Sequence, residues 1–221
     1  MEEHADAVTV RHRVGRPRRG TEGARFDLLI AAATRVFLRD GYGQGSIDKV
    51  AAEAGVSTRT IYERFKNKAD LLGAVITRLV ERDMATVLCT EELDRWEPRQ
   101  ALMAIGQLIT GRACAPDAAA LFRICAAEAK RFPELAAKMR DNAKARVDAA
   151  ISSYFRRQIA RGTLALSDPA RAAALFLQMV CAELNECLLF GSPDDIAKLD
   201  WTAHLDQVVD IFLCGALPRK K

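Results

Sequence analysis

The stretch AAEAGVSTRTIYERFKNKADLL, residues 51–72, places two short amphipathic segments on either side of a tight turn. Ala51 is small enough to let the first helix approach the second. Gly55 can adopt the left-handed backbone conformation that a tight turn needs, and Val56 can fill the core beneath the turn. This spacing is typical of a helix-turn-helix, so we expect residues 51–65 to fold as one.

Polar residues mark the expected helix starts around this motif. Ser46, Ser57 and Asn67 each precede an apolar periodic segment and have side chains suited to capping a helix. Upstream, apolar residues recur every three or four positions over 22–40, which predicts a helix that Gly41 ends. We therefore expect a three-helix head followed by a connecting helix.

The exposed face of the helix after the turn carries hydroxyl, aromatic and guanidinium groups. Arg59 can hold a guanine through O6 and N7, and the neighbouring threonines can contact base edges. Tyr62 and Lys68 can anchor phosphates and so set the register on a duplex. These residue types predict a DNA-binding surface; the alternative is a solvated polar face on an ordinary helical hairpin.

Charge is concentrated ahead of the first helix. Residues 11–25 contain six arginines and one acid, Glu22, a local balance of +5, whereas the whole chain carries only +4. Such a basic arm can seek phosphates or the minor groove, although a solubilising tail has the same composition.

Composition favours an all-α chain, and the periodic apolar segments along it predict nine or ten helices. Half of the 221 residues are apolar and only 6% are aromatic. We predict no membrane span, no signal peptide, a cytoplasmic location, no cofactor and no metal site. The three histidines and the absence of a recognised catalytic motif argue against an enzyme. The segment GYGQGS at 41–46 lacks the spacing of a dinucleotide-binding loop.

Beyond residue 82 the predicted helices become longer. The expected organisation is a flexible basic arm at 1–21, a helix-turn-helix domain at 22–68, a connecting helix at 69–82, a body at 83–217 and a basic tail at 218–221. About 140 residues are more than dimerisation alone demands. The size of the body therefore favours a ligand-binding function.

Methionine and aromatic side chains at helical spacing in the body either pack as ordinary core or line an apolar pocket between helices. Glu128 could instead orient a polar ligand, and Trp96 could cover a pocket entrance. The candidate ligand-binding residues are Trp96, Met103, Phe122, Glu128, Met139, Phe155, Phe176 and Met179.

Two long predicted helices, 134–161 and 170–190, carry more apolar surface than one internal face needs. Surplus apolar surface usually marks an interface; the alternative is that both faces are buried within one protomer. The candidate dimer residues are Val147, Ile151, Tyr154, Leu177, Val180, Cys181, Leu184 and Leu188.

Residues 24–76 resemble the DNA-binding domain of the tetracycline-repressor (TetR) family, most densely over residues 51–72. The ordered set of Phe37, Gly41-Tyr42, Gly55-Val56-Ser57, Tyr62 and Lys68 carries the likeness. Residues 125–139, CAAEAKRFPELAAKM, more weakly resemble a subgroup of its regulatory domains. The resemblance implies a homodimer in which the last two long helices of each body form a four-helix interface. It also implies an apolar small-molecule effector that releases a repressor from a palindromic DNA operator.

The resemblance places residues 58–62 on a recognition helix, Lys68 and Ser46 against phosphates, and the arm GRPRRG, 15–20, in the minor groove. Two other functions remain open, namely a constitutive dimeric DNA-binding protein and a helical enzyme without a recognised motif. The candidate DNA contacts are Arg16, Arg18, Arg19, Ser46, Ser57, Thr58, Arg59, Thr60, Tyr62, Arg64 and Lys68.

Overall fold

The computed structural model describes residues 19–88, 93–191 and 193–216, and every regular element within these ranges is helical. The predicted all-α fold class is therefore confirmed. The helices are α1 (Arg19–Gln44), α2 (Ile47–Ala54), α3 (Thr58–Tyr62), α4 (Lys68–Leu88), α5 (Pro98–Cys114), α6 (Pro116–Glu128), α7 (Pro133–Met139), α8 (Ala145–Ala160), α9 (Pro169–Val180), α10 (Ala182–Phe190), α11 (Pro193–Lys198) and α12 (Trp201–Ala216). A 3₁₀ turn, Leu93–Arg95, precedes α5, and a π-helical turn, Arg140–Lys144, joins α7 to α8.

The predicted caps of the head are present. The side chains of Ser46, Ser57 and Asn67 each accept a hydrogen bond from the backbone N–H three residues later, at 3.2, 3.1 and 2.9 Å. Gly55 ends α2 with φ 66°, and Gly41 interrupts α1 with φ 72°. Gly55 is in the left-handed helical conformation, and Gly41 combines its positive φ with an extended ψ of 172°; both conformations favour glycine because a Cβ atom would meet a steric penalty there. The helix-turn-helix therefore has the geometry that its sequence predicts.

Several predicted boundaries differ from the observed ones. Helix α3 ends at Tyr62, three residues before the expected end. The predicted helix over 134–161 is divided by the π-helical turn, and the predicted helix over 170–190 bends by 50° at Cys181. Apolar spacing continues across both breaks, so periodicity alone does not reveal them.

The core of the head extends into the body. Leu121 and Cys125 of α6 and Leu135 of α7 are buried together with the apolar residues of α1, α2, α3 and α4. A second core lies inside the body, around the contacting rings of Phe155 and Phe176. The head is thus packed directly onto α6 and α7 and is joined to the body by more than its connecting helix.

No single helix in the described ranges is long and apolar enough to span a membrane. Helices α9 and α10 reach the required length and composition only when they are taken together across their bend. Phe176, Val180 and Leu184 on these helices are buried within the protein.

Candidate nucleic-acid interface and body cavity

The turn between α2 and α3 aims the outer face of α3 at solvent. The N–H groups of Gly55 and Val56 donate to the last carbonyls of α2, the latter at 3.0 Å to Ala51. Ile61 is completely buried beneath the motif and sets the rotation of α3. As a result, the opposite side of α3 is free to meet a macromolecule.

Arg59 and Tyr62 are the most prominent of the predicted DNA contacts. The Arg59 side chain is 88% exposed, and its Nε donates to Glu63 at 3.1 Å, a contact along one helix turn that DNA can replace. Tyr62 is also largely exposed. Thr60 is exposed but shares its hydroxyl with Ser57 at 2.9 Å, and Thr58 is half-buried. The predicted cluster therefore forms one surface.

Arg64 contacts α1. Its Nη2 lies 2.7 Å from Glu22 Oε1, and its guanidinium group stacks over the Phe26 ring at 5.7 Å. This ion pair neutralises the guanidinium and joins α1 to the end of the motif. The ion pair with Glu22 therefore competes with the predicted contact between Arg64 and DNA.

Lys68 is turned inward, in contrast to the expected phosphate contact. Its Nζ donates to the carbonyls of Tyr42 at 2.6 Å and Gly45 at 2.9 Å, and it lies 4.2 Å from the Tyr42 ring centroid. Burial lowers the pKa of this ammonium group. The side chain thus holds the turn between α1 and α2. A phosphate could instead be bound by the backbone N–H groups at the start of α4.

The remaining predicted contacts are partly beyond the described ranges. Arg16 and Arg18 lie outside the described residues, and Arg19 is described only as the first backbone position of α1. Ser46 is half-buried and occupied as the cap of α2.

Glu128 joins the body to the head, which corrects its assignment as a ligand residue. Its two carboxylate oxygens accept hydrogen bonds from the backbone N–H groups of Tyr42 at 3.0 Å and Gly43 at 2.9 Å. The Tyr42 hydroxyl donates to Glu134 at 3.2 Å, and burial together with this carboxylate raises the pKa of Tyr42. The end of α6 therefore holds the turn that Lys68 clamps from the other side.

Two polar contacts join α4 to the segment after α6. Lys138 lies 2.8 Å from Asp70, and its hydrogen bond holds the pKa of Asp70 below its ordinary value. The Thr77 hydroxyl lies 3.1 Å from Asn142, within the π-helical turn. A movement of that turn would therefore act directly on α4.

A cavity of about 500 Å³ opens between α4, α5, α6, the π-helical turn, α8, α9 and α10. Its wall is mostly apolar. Of the predicted ligand residues, Phe122 and Met139 line it. Phe155 and Phe176 do not, because they pack against each other in the body core, and Trp96, Met103 and Met179 also lie outside the lining.

The predicted dimer residues are mostly internal, which corrects that assignment. Ile151, Tyr154 and Val180 are completely buried in the body core. The other five line the cavity: Val147, Leu177, Cys181, Leu184 and Leu188. The surplus apolar surface of these helices is real, but it faces a cavity within one protomer.

The cationic part of the cavity wall was not predicted from the sequence. Arg112, Arg140 and Lys144 all line it, and so do Leu79 and Val80 of α4. No local signal distinguishes these cations from solvated ones near helix ends. Only the packing of α5 and the π-helical turn against α4 brings them to one cavity.

Family comparison decides the broad class. Residues 100–215, more than half of the chain, match the AefR-like transcriptional repressor C-terminal domain, and residues 29–75 match the bacterial regulatory proteins of the tetR family. The chain belongs to the TetR family. Members of this family are transcriptional regulators, which agrees with the expectation that the chain is not an enzyme.

Individual TetR-family relatives resemble the head in sequence and the whole chain in fold. The DNA-binding transcriptional repressor TetR of Mycobacteroides abscessus is 50% identical over 48 residues, which span 22% of this chain and only 25% of that relative. A TetR-family regulator from Mesorhizobium loti has a TM-score of 0.72 at 24% identity, covering 91% of this chain and 100% of its own. The flavonoid-responsive regulator FrrA has a TM-score of 0.68 at 27% identity, covering 90% and 100%.

Proposed function

We propose that this chain is a homodimeric repressor that binds a palindromic DNA operator and is released by a small, largely apolar effector. The observation that carries the proposal is the exposed α3 face of Arg59, Thr60 and Tyr62 on a capped helix-turn-helix, in a chain of the TetR family. The protein would act in the cytoplasm, where bacterial DNA lies. Two heads would occupy half-sites about one helical turn apart, roughly 34–36 Å, or a multiple of that.

Base choice and positioning would come from different residues. Arg59 has an exposed guanidinium group that can exchange its contact with Glu63 for a bidentate contact with guanine. The start of α4 and the basic arm would contact phosphates and give binding its salt dependence. Lys68 would act indirectly, by holding the turn on which the start of α4 rests.

The effector would occupy the body cavity. Three residues of the cavity wall, Arg140, Ala143 and Lys144, belong to the π-helical turn that contacts α4 through Asn142 and Thr77. A ligand that fits better when this turn has moved would favour that arrangement by its difference in affinity. Displacing α4 would then change the spacing of the two heads. FrrA, whose name describes it as flavonoid-responsive, supports effector control as a comparison.

We propose that the dimer forms through α9 and α12 instead of the internal residues first predicted. Leu175 and Ile211 are 50% and 65% exposed. Their neighbours, Phe176 and Phe212, contact each other inside the body at 5.2 Å between ring centroids, so the two helices lie side by side. An exposed apolar face on adjacent helices suits a second copy of the chain, and TetR-family regulators typically dimerise.

The interface can be tested by sedimentation velocity on the full-length protein. Leu175→Glu combined with Ile211→Glu should convert a dimer into a monomer, because two charges would be buried at each contact. Leu28→Glu is a matched control, since Leu28 is equally exposed but lies on α1. A double variant that remains dimeric would place the interface elsewhere.

DNA binding is tested by selecting sequences from a random duplex pool with the full-length protein. Selected duplexes are then assayed by mobility shift at about 150 mM salt with excess non-specific competitor, because salt controls the non-specific affinity. A palindromic consensus and a discrete, competitor-resistant shift are expected. A pool without enrichment would refute the proposed function, whereas enrichment of a site that no ligand releases would favour a constitutive DNA-binding protein.

A further inference from the structure

Among the residues that the structure describes, the charged side chains that line the body cavity all have the same sign. Arg112, Arg140 and Lys144 line it, and no described aspartate or glutamate does. The other polar side chains of the wall are the neutral amides of Gln178 and Asn185. Apart from these groups the wall is aliphatic, aromatic or sulfur-containing, so the cavity combines an apolar interior with cationic side chains.

Two of the three cations are already neutralised. Arg112 holds Asp117 through Nη2 at 3.1 Å, and its Nε donates to the carbonyl of Leu79 at 2.6 Å. Lys144 is paired with Asp148, one turn further along the chain. Both carboxylates lie outside the cavity lining, so these two cations need no further anion.

Arg140 differs from both. It opens the π-helical turn and is exposed, and within the part of the chain that the structure describes no carboxylate lies within ion-pair distance of it. A guanidinium group with five N–H donors therefore stands at the cavity with no anionic partner among the described residues. π-Helical turns are rare and occur frequently at functional sites, because they shift side chains out of ordinary helical register.

We infer that the cavity binds an amphiphile with an apolar body and one anionic head, of the chemical class of a medium-chain carboxylate, with Arg140 as the partner of the head. This inference rests on the proposed function, since it names the class of effector. The volume of about 500 Å³ lies within the range of roughly 300–1,000 Å³ typical of small-molecule sites. Arginine binds carboxylates bidentately, and a charge-assisted contact is stronger than a neutral one.

The position of Arg140 connects recognition of the head group to regulation. Arg140 and Asn142 belong to one five-residue turn, and Asn142 contacts Thr77 of α4. An anion that draws Arg140 towards the cavity would pull on the turn and so on α4. A neutral ligand of the same apolar size would fill the cavity without that pull.

The test compares three probes of equal chain length by isothermal titration calorimetry on the full-length protein. Decanoate carries a negative head, decanol a neutral one and decyltrimethylammonium a positive one. We expect decanoate to bind about tenfold more tightly than decanol, as one charge-assisted contact predicts, and the cationic probe to bind most weakly. Equal binding of decanoate and decanol, or a preference for the cation, would overturn the inference.

Variants assign the preference to Arg140. Arg140→Gln should reduce the advantage of decanoate over decanol to less than about threefold, and Arg140→Lys should retain most of it. Arg156→Gln is the matched control, because Arg156 is exposed on α8 and outside the cavity lining. A full preference in Arg140→Gln would overturn the role of this residue.

Operator binding without any probe separates this inference from the proposed function. A protein that selects a palindromic duplex but does not prefer decanoate retains its proposed function and loses only the proposed ligand class. A protein that binds decanoate with the expected preference but selects no DNA loses its proposed function and keeps an anionic ligand site. Binding of none of the three probes would overturn the inference, whatever the DNA result.

Discussion

The hydrophobic cores of the head and of the body are packed differently. Around the head, Leu121, Cys125 and Leu135 of the body complete a core of buried residues, and only its partly buried margin, which includes Leu79 and Met139, reaches the cavity. In the body, the core around Phe155 and Phe176 borders a cavity of about 500 Å³. Under the proposed function, the cavity would take up the effector, and the packed core around Leu121 would pass the resulting movement to the head.

Adjacent residues on α6 provide the largest expected effect and the sharpest test of this contrast. Leu121 is buried in the head core, whereas Phe122 lines the cavity. Leu121→Ala should lower the free energy of unfolding by about 2–5 kcal/mol, because it creates a void in packed surroundings. Phe122→Ala should cost less than about half as much despite the larger truncation, since its ring already borders empty space. Urea unfolding measures both.

The outcome of this test depends on the ratio of the two losses in unfolding free energy. If Phe122→Ala proves as costly as Leu121→Ala, the region around Phe122 is packed in solution and the contrast between the two regions fails. The urea dependence of the unfolding free energy should be similar in both variants, which checks that their unfolded states are comparable.

The contact between α6 and the head should have the next largest effect on the unfolding free energy. Glu128→Ala leaves the N–H groups of Tyr42 and Gly43 without their carboxylate, and we expect a loss of about 1–3 kcal/mol in unfolding free energy. Glu186→Ala is the control, because Glu186 is exposed on α10. A loss no greater than that of the control would mean that the head is not held by α6.

Arg59 and Lys68 separate direct from indirect contributions to DNA binding. Arg59→Ala should weaken binding by about 1–3 kcal/mol and relax specificity at one base pair. Lys68→Met should mainly lower the stability of the fold, since its ammonium group is held by carbonyls of the α1–α2 turn. Mobility shifts at several salt concentrations distinguish the two residues. If the logarithm of the DNA affinity depends less steeply on the logarithm of the salt concentration in Lys68→Met, by about one unit, Lys68 contacts a phosphate as first predicted.

The smallest expected effect concerns pH. Lys138 holds the pKa of Asp70 below its ordinary value of 3.8, so this pair stabilises the fold above that pH, and the contribution disappears as the pH falls through the lower folded value. Asp70→Asn should lower stability at neutral pH by less than about 1 kcal/mol. It should also flatten the loss of stability below about pH 4. Thermal unfolding across pH 2–7 measures both, and parallel profiles for variant and parent would contradict the assignment.

The local sequence was sufficient to predict the head. Caps at Ser46, Ser57 and Asn67, the left-handed Gly55 and the buried Ile61 were all identifiable, because each acts within a few residues along the chain. The start of α9 at Asp168 and the cap at Asp200 follow the same rule. The all-α fold class and the exposure of Arg59 could also be predicted from the local sequence.

The tertiary structure was needed to show what the longer apolar helix faces pack against. Val147 and Leu177 were predicted as dimer residues, with burial inside one protomer as the alternative, and only the packing of α8 against α9 makes them part of a cavity wall. Lys68 and Glu128 likewise depend on partners 23 to 86 residues away in the chain. Periodicity specifies which side of a helix is buried. It does not specify what lies opposite, because that depends on contacts between segments far apart in sequence.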